Sequence, residues 1–462
     1  MRFFGLISFI YVCAIVNAQN QLPIIKLNGV FGYEYQNGTV SIIYPDGSIQ
    51  ENLIANIKWR GGSTNSSDKH KRNYKIKFAE DQQFFGLRTD NKWILDAGQA
   101  DVFRLRNRIA TELWNDFATK PYYFNQEPEA YSGVRGRVVE VYLNDEYIGI
   151  YCLTECMDRK QMKVKKVDKK TSEIRGLLYK ADNYGASQMN ICPESYDNKS
   201  ERWDSFEMKY PELDDVEETD WSILWNAIYF VVNSSDEEFR QYIAEYFDIP
   251  VIIDYYIFVH LMGAIDNEGK NMYWAVYDKT INKKLTLAVW DLDLTVGNSY
   301  LDHYLNGFSS PEFDCGNVLH IIKRLKYLDV DNFNDKVKNR YAELRKTWFS
   351  SESLKARYNS YYKLLKESGA AERETIRWSR DSDILGAIID YDNEIEYIIN
   401  WIVQRIKYLD NNVFNYYPSS INDNIIKQKA TSKLYTIQGI EVKNKSFNKG
   451  LYITKGKKLL QK

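Results

Sequence analysis

Cysteine and histidine are scarce in this chain, and each shortage excludes a class of chemistry. The 5 cysteines in 462 residues are too few and too dispersed for a disulfide scaffold. Cys152 and Cys156 sit beside an expected strand at a spacing that suits no mutual bridge while the strand stays extended. The 4 histidines, His70, His260, His303 and His320, include no pair at helical spacing. A histidine-held metal is therefore excluded, whereas a hard cation on oxygen ligands stays open. Charge of one sign is also missing. With 61 basic and 63 acidic residues the net charge is −2, so no global field points to nucleic acid or an anionic membrane. Beyond the N-terminus there is no apolar run long enough to span a bilayer.

The N-terminus, MRFFGLISFIYVCAIVNAQ, is different. A basic Arg2, an apolar stretch and a small residue at Ala18 form the pattern of a cleaved secretory signal, so export of the mature chain is expected. After it, LPIIKLN, GTVSIIYP, ENLIANIKWR and NYKIKF read as short strands separated by turn signals. A helix is expected over about residues 102–117, then a hairpin of RGRVVEVYLN and EYIGIYCLTE turning at Asn144 and Asp145. After Met157 a charged, mobile-looking stretch leads into helical patterns. The strands NMYWAVYD and KKLTLAVWD follow, and then helices as far as about Phe414. The expected organisation is a signal peptide at 1–18, a β-rich lobe at 19–157, a mainly helical lobe at 158–415 and a β tail at 416–462.

Two acidic motifs carry the chemistry. In AVWDLDLTVGN a strand ends by presenting Asp291 and Asp293 on one face, a like-charged pair that needs a cation between them. About 20 residues earlier, DNEGKN spaces Asp266 and Asn271 as protein kinases space their catalytic Asp and metal-binding Asn. Upstream lie a Gly/Ser loop, a Lys-bearing strand and a helix carrying Glu112, in the order that phosphoryl transfer uses. Each piece alone has a plain reading: turn residues around Gly269, an exposed strand end, a solvated lysine face.

Together, IKWRGGST, KRNYKIKF, LRNRIATEL, VVEVYLNDEYIGIYCLTE, IDYYIFVHLMGAIDNEGKN and LAVWDLDLTVGN, in that order, resemble the spore-coat protein H (CotH) kinase-like family. The resemblance implies an α+β, bilobal atypical protein-kinase-like fold using ATP with Mg²⁺ or Mn²⁺ to phosphorylate Ser or Thr of a secreted or surface protein. It implies Asp266 as the catalytic Asp, and Asp291 as the principal metal ligand assisted by Asn271 and Asp293. A lysine of KRNYKIKF would meet the phosphates. Lys75 is the first choice, paired with Glu112, with Lys77 and Lys71 as alternatives. Arg60, Gly61 and Gly62 would cover the phosphates, and Glu155 would lie at the lobe junction near the base. Two departures stand out: Ala264-Ile265 replaces His-Arg before Asp266, and Leu-Asp replaces Phe-Gly after Asp291.

Alternatives are a pseudokinase or surface binding protein, and a nucleotide-sugar glycosyltransferase using Asp-x-Asp. The glycosyltransferase would need a βαβ nucleotide-binding half, which the N-terminal run of short strands does not match. The tail, LYTIQGIEVKNKSFNKGLYITKGKKLLQK, resembles C-terminal sorting signals of secreted Bacteroidetes proteins, which would bring secretion machinery as a partner.

Overall fold

The computed structural model describes residues 21–299, 307–309, 319–379 and 387–416, and the backbone of three short strands at 435–436, 450–454 and 457–461. The expected signal peptide lies outside these residues, as do the tail turns expected at Gly439, at 444–448 and at Gly456. The chain divides into two compact units, Met1–Tyr408 and Leu409–Lys462.

Alternation of apolar and polar residues builds the first element. β1 (Ile24–Asn28), β2 (Gln36–Ile43), β3 (Ile49–Arg60), β4 (Asn73–Gln82), β5 (Asp90–Asp96), β6 (Gly136–Leu143) and β7 (Glu146–Glu155) close into a barrel in the order β1-β2-β3-β4-β5-β7-β6. Parallel pairing of β1 with β6, Ile25 opposite Val141, completes the closure. Ile25, Val40, Ile57, Ile76, Trp93, Leu95 and Tyr151 fill the interior. Lys75 and Lys77 alternate with Tyr74, Ile76 and Phe78 and therefore face outward.

The expected strands of this region are present, but a fifth, DNKWILD, was not anticipated from the sequence. The β-rich part is thus a closed barrel, and the helix follows β5, not NYKIKF. That helix, α1 (Arg106–Phe117), begins later than about residue 102, because Asp101 accepts hydrogen bonds from the Phe103 and Arg106 amides and holds the approach as a turn. The β6–β7 turn forms at Asn144 and Asp145, both at positive φ, where Asn and Asp are tolerated.

The charged stretch after Met157 is a second correction. It contains the single turn α2 (Arg159–Met162) and then β8 (Leu177–Ala181), β9 (Arg202–Trp203) and β10 (Phe206–Tyr210). With β11 (Met272–Val276) and β12 (Thr286–Val289) these make a five-stranded sheet, β12-β11-β8-β10-β9. The two central strands, β11 and β8, pair through Met272 opposite Ala181. The lysines around β8 mask a buried strand whose Leu177, Leu178 and Tyr179 have no contact with water.

Between β10 and β11 run α3 (Ser222–Asn233), α4 (Asp236–Tyr246) and the all-buried α5 (Ile249–Met262). After β12 come α6 (His320–Tyr327), α7 (Phe333–Arg345), α8 (Ser351–Glu367), α9 (Ala370–Trp378) and α10 (Tyr391–Asn412). A β-rich N-terminal part and a helix-rich C-terminal part are therefore both present, the latter built around its own sheet. In the second unit β13 (Tyr435–Thr436), β14 (Gly450–Thr454) and β15 (Lys457–Gln461) form an antiparallel sheet.

Candidate active site

The register of the second sheet gathers the acidic motifs. Val289, Met272, Ala181 and Phe206 lie in one row across β12, β11, β8 and β10, so Trp290-Asp291, Asn271 and Asp182 emerge at one end. Asn271 and Asp291 both adopt positive φ, 53° and 57°. Asn and Asp tolerate this left-handed backbone better than other residues, and such strain concentrates at functional positions.

The loop at 266–271 is tightly held. Asn271 Nδ2 donates to Asp266 Oδ2 at 2.7 Å, and Lys270 Nζ lies 2.7 Å from Asp266 Oδ1. The structure thus brings Asp266 and Asn271 together. Asn267, fully buried and not anticipated from sequence, staples this loop to the next motif: its Nδ2 donates to Asn271 O at 3.1 Å and to Trp290 O at 2.8 Å. Its only sequence signal was its place inside the Asp-x4-Asn spacing.

Two further residues complete the acidic floor. Asp96, at the end of β5, accepts from Asn107 Nδ2 at 2.7 Å, while Asn107 Oδ1 accepts from the Leu292 amide at 3.1 Å. Asn107 therefore ties α1 to both the barrel rim and the Asp-Leu-Asp segment. The following loop is fixed by Asn298, donating to Asp293 O at 2.9 Å, and by Arg106, donating to Val296 O.

Neither the Asp291 nor the Asp293 carboxylate accepts a hydrogen bond or forms an ion pair among the described residues. Asp291 is open to solvent yet surrounded by protein, as a cleft floor would be. Both carboxyls are pushed above the ordinary carboxylate range. Burial is the main cause, with Asp96 and Asp266 adding repulsion to each and Asp291 adding its own to Asp293. Among the described residues no three His, Cys, Asp or Glu side chains form a ready-made metal cage. Two unpartnered carboxylates with an adjacent amide oxygen nonetheless suit Mg²⁺, which takes one or two carboxylates and completes its shell with phosphate and water.

The sign of these shifts makes a prediction. A carboxyl raised in the folded state contributes stability that is complete below its ordinary pKa, near 3.8 for Asp, and is lost as pH rises through the raised value. The metal-free chain should therefore soften as pH climbs from about 4 towards neutrality. Mn²⁺ or Mg²⁺ should raise the melting temperature by several degrees at pH 7 and by much less at pH 5. Equal shifts at both pH values in a thermal-melt series would contradict this assignment.

The cations facing the carboxylates come from both parts of the chain. Arg60, ending β3, packs over the Trp290 ring at 5.5 Å and its charge acts on Asp291. Gly61 follows at φ +122°, where a Cβ would meet Thr64 Oγ1 at 2.0 Å, so the turn after Arg60 requires glycine. At Gly62 a Cβ would meet open space. Lys75 is half-buried without an ion-pair partner, and burial first, then Lys92, Lys209 and Arg60, lowers its pKa. Lys180, on β8 opposite Tyr273, is a second such cation and was missed in the sequence. Burial lowers its pKa against the pull of Glu207, Asp182 and Asp291. It was hidden within the lysine-rich stretch, with no pattern to separate it from solvated neighbours.

Other expected site residues go elsewhere. Glu112 lies 3.2 Å from Arg108 and accepts from Tyr361 Oη at 2.5 Å; it does not pair with Lys75. Lys77 is exposed beyond Lys75 on the same outer face. Lys71 is buried against Glu374 at 2.8 Å and donates to Ile150 O at 2.7 Å. Glu155 pairs in register with the inward-facing Trp93, so it points into the barrel, away from the face carrying Lys75. There Arg135 Nη2 and the Arg88 amide donate to it at 2.6 and 2.8 Å.

The family model described as CotH kinase protein matches residues 57–409, well over half of the chain. The chain belongs to the CotH kinase family. The match begins within β3 and takes in both acidic motifs, the barrel strand with Lys75 and every helix from α1 to most of α10. CotH kinases are kinase-like, and the family implies the use of ATP and a divalent cation in general terms. No curated protein matches the chain. No helix among the described residues is long and apolar enough to cross a membrane.

Proposed function

We propose that this CotH family member is an exported, ATP-dependent protein kinase that phosphorylates Ser or Thr hydroxyls of secreted or surface proteins. One observation carries the reading: two unpartnered carboxylates, Asp291 and Asp293, beside the joined Asp266 and Asn271 and opposite the unpaired Lys75 and Lys180. Such a site has a deficit of positive charge on its floor and of negative charge on its walls, which a metal–triphosphate complex supplies together.

Asp291, Asp293 and the Asn271 amide oxygen would hold the divalent cation, which neutralises phosphate charge when bound. Lys75, Lys180 and Arg60 would grip phosphate oxygens, and the turn at Gly61 and Gly62 would let backbone approach them. Asp266 would accept the proton of the attacking hydroxyl, with Lys270 and Asn271 fixing its orientation. A bilobal kinase-like arrangement, a signal peptide at 1–18, a lobe boundary near residue 157 and a sorting tail from 416 belong to the same proposal.

Transfer of labelled γ-phosphate from ATP to a protein hydroxyl with Mn²⁺ or Mg²⁺ tests it. Asp266→Asn should lower the transfer rate by about 10²-fold while nucleotide binding persists, the loss typical of a missing general base. Unchanged transfer in that variant would remove Asp266 from the mechanism. The binding-protein reading draws on the occupied state of Asp266, whose two oxygens are engaged by Lys270 and Asn271. Nucleotide binding without transfer to any acceptor would favour it.

A further inference from the structure

A second cavity lies where the chain leaves the barrel. Its volume is about 590 Å³, within the range of ligand sites. None of Lys75, Asp266, Asp291 or Asp293 lines it. Five cations do (Arg88, Arg135, Arg159, Lys160 and Lys163), against one carboxylate, Glu129.

The carboxylates that balance these cations stand mostly behind the wall. Glu155 and Asp90 have side chains 0% and 1% exposed, and they hold Arg135 at 2.6 Å and Lys160 at 2.7 Å. Asp158 grips Arg88 with both oxygens, at 3.0 and 2.8 Å, and Asp90 adds a contact of 2.7 Å. Arg88 Nε is buried and has no hydrogen-bond partner among the described residues. Arg159 has no carboxylate partner: its guanidinium donates to Val164 O at 3.2 Å and lies over the Tyr210 ring at 5.7 Å. Arg135 is braced on Tyr131 at 4.7 Å. Glu129 is 82% exposed, bound to Lys163 at the rim, and is free to swing outward. Guanidinium groups fixed from behind, with cationic edges facing a polar cavity, are arranged for a planar or tetrahedral oxyanion.

We propose that this cavity is a docking subsite for a phosphomonoester, supplied as phosphoserine on an acceptor protein that is already partly phosphorylated. The source of the phosphate rests on the kinase reading; the anion preference rests on the cavity alone. Such a subsite would hold a modified acceptor while the Asp266 site acts on a neighbouring hydroxyl.

Calorimetry on the full chain tests this with three probes: inorganic phosphate, a phosphoserine peptide and the same peptide unphosphorylated. The phosphoserine peptide should bind, and its affinity should fall at least tenfold in Arg159→Ala, a variant that leaves no buried carboxylate unpaired. Lys163→Ala should weaken it further, and the unphosphorylated peptide should not bind. Binding should persist in Asp291→Asn and under saturating non-hydrolysable ATP. Three results would each overturn the proposal: no phosphopeptide binding, competition by the nucleotide analogue, or indifference to Arg159→Ala. Binding of inorganic phosphate with no phosphopeptide binding would overturn the protein source. Phosphopeptide binding by a chain that transfers no phosphate would keep the subsite and reject the kinase reading.

Discussion

Asp291→Asn should abolish divalent-cation-dependent ATP binding and reduce phosphotransfer by about 10³-fold or more, while making the metal-free protein more stable. The two effects share one cause. Asp291 repels Asp293, both are desolvated, and neither has a partner among the described residues. Neutralising one carboxylate removes that repulsion, so the melting temperature should rise. The same substitution takes away charge that a metal and its phosphates require. Loss of such electrostatic stabilisation is among the largest single effects on a catalysed step. Melting curves with and without Mn²⁺, alongside transfer assays, check both halves. A variant that loses stability in the absence of metal would show that Asp291 serves the fold instead.

Glu374→Ala should destabilise the protein by about 3–5 kcal/mol, because it leaves two buried cations without their counter-ion. Glu374 Oε1 lies 2.8 Å from Lys71 Nζ and 2.7 Å from Arg104 Nε, and its Oε2 accepts from the Ile150 amide at 2.7 Å. These groups are at most 1% exposed. The pair joins β4 and β7 of the barrel to α9, more than 200 residues later in the chain. Gly149 allows the approach: at φ +117° a Cβ there would meet Glu374 Oε2 at 2.4 Å.

Burial pulls Lys71 down to about 7 despite its partner. Arg104 stays charged throughout, so Glu374 keeps a counter-ion in either state of Lys71. Burial would raise the Glu374 pKa, but Lys71 and Arg104 outweigh it and leave the group below its ordinary 4.5. A depressed carboxyl contributes stability above its unfolded pKa and loses it as pH falls through the folded one. The wild type should therefore lose this contribution below about pH 4.5, and Glu374→Ala should show a weaker acid dependence there. Urea unfolding at pH 7 and pH 4 measures both, and a loss under about 1 kcal/mol at pH 7 would contradict the buried-triad account.

Local pattern determined a good part of this protein. Alternating apolar residues set the strands from β1 to β4 and the β6–β7 hairpin, because one face of each must line the barrel. The spacing of Asp266 and Asn271, and the strand period that puts Asp291 and Asp293 together, named the acidic floor of the candidate site. These features depend only on residues close in sequence.

Barrel closure, the sheet hidden in the lysine-rich stretch and the partners of individual charges were decided by tertiary structure. Lys71, Lys75 and Lys77 look alike in KRNYKIKF, yet one is buried against Glu374, one stands half-buried without an ion-pair partner and one is exposed. Glu112 was drawn away from Lys75 by Arg108 and Tyr361, and Glu155 by barrel register, which turns it inward. Asn107, Asn267 and Lys180 acquired their roles through contacts with distant segments. A charged side chain's role depends on which opposite charge, or which empty cleft, the fold sets within a few ångströms of it. Sequence spacing does not carry that distance.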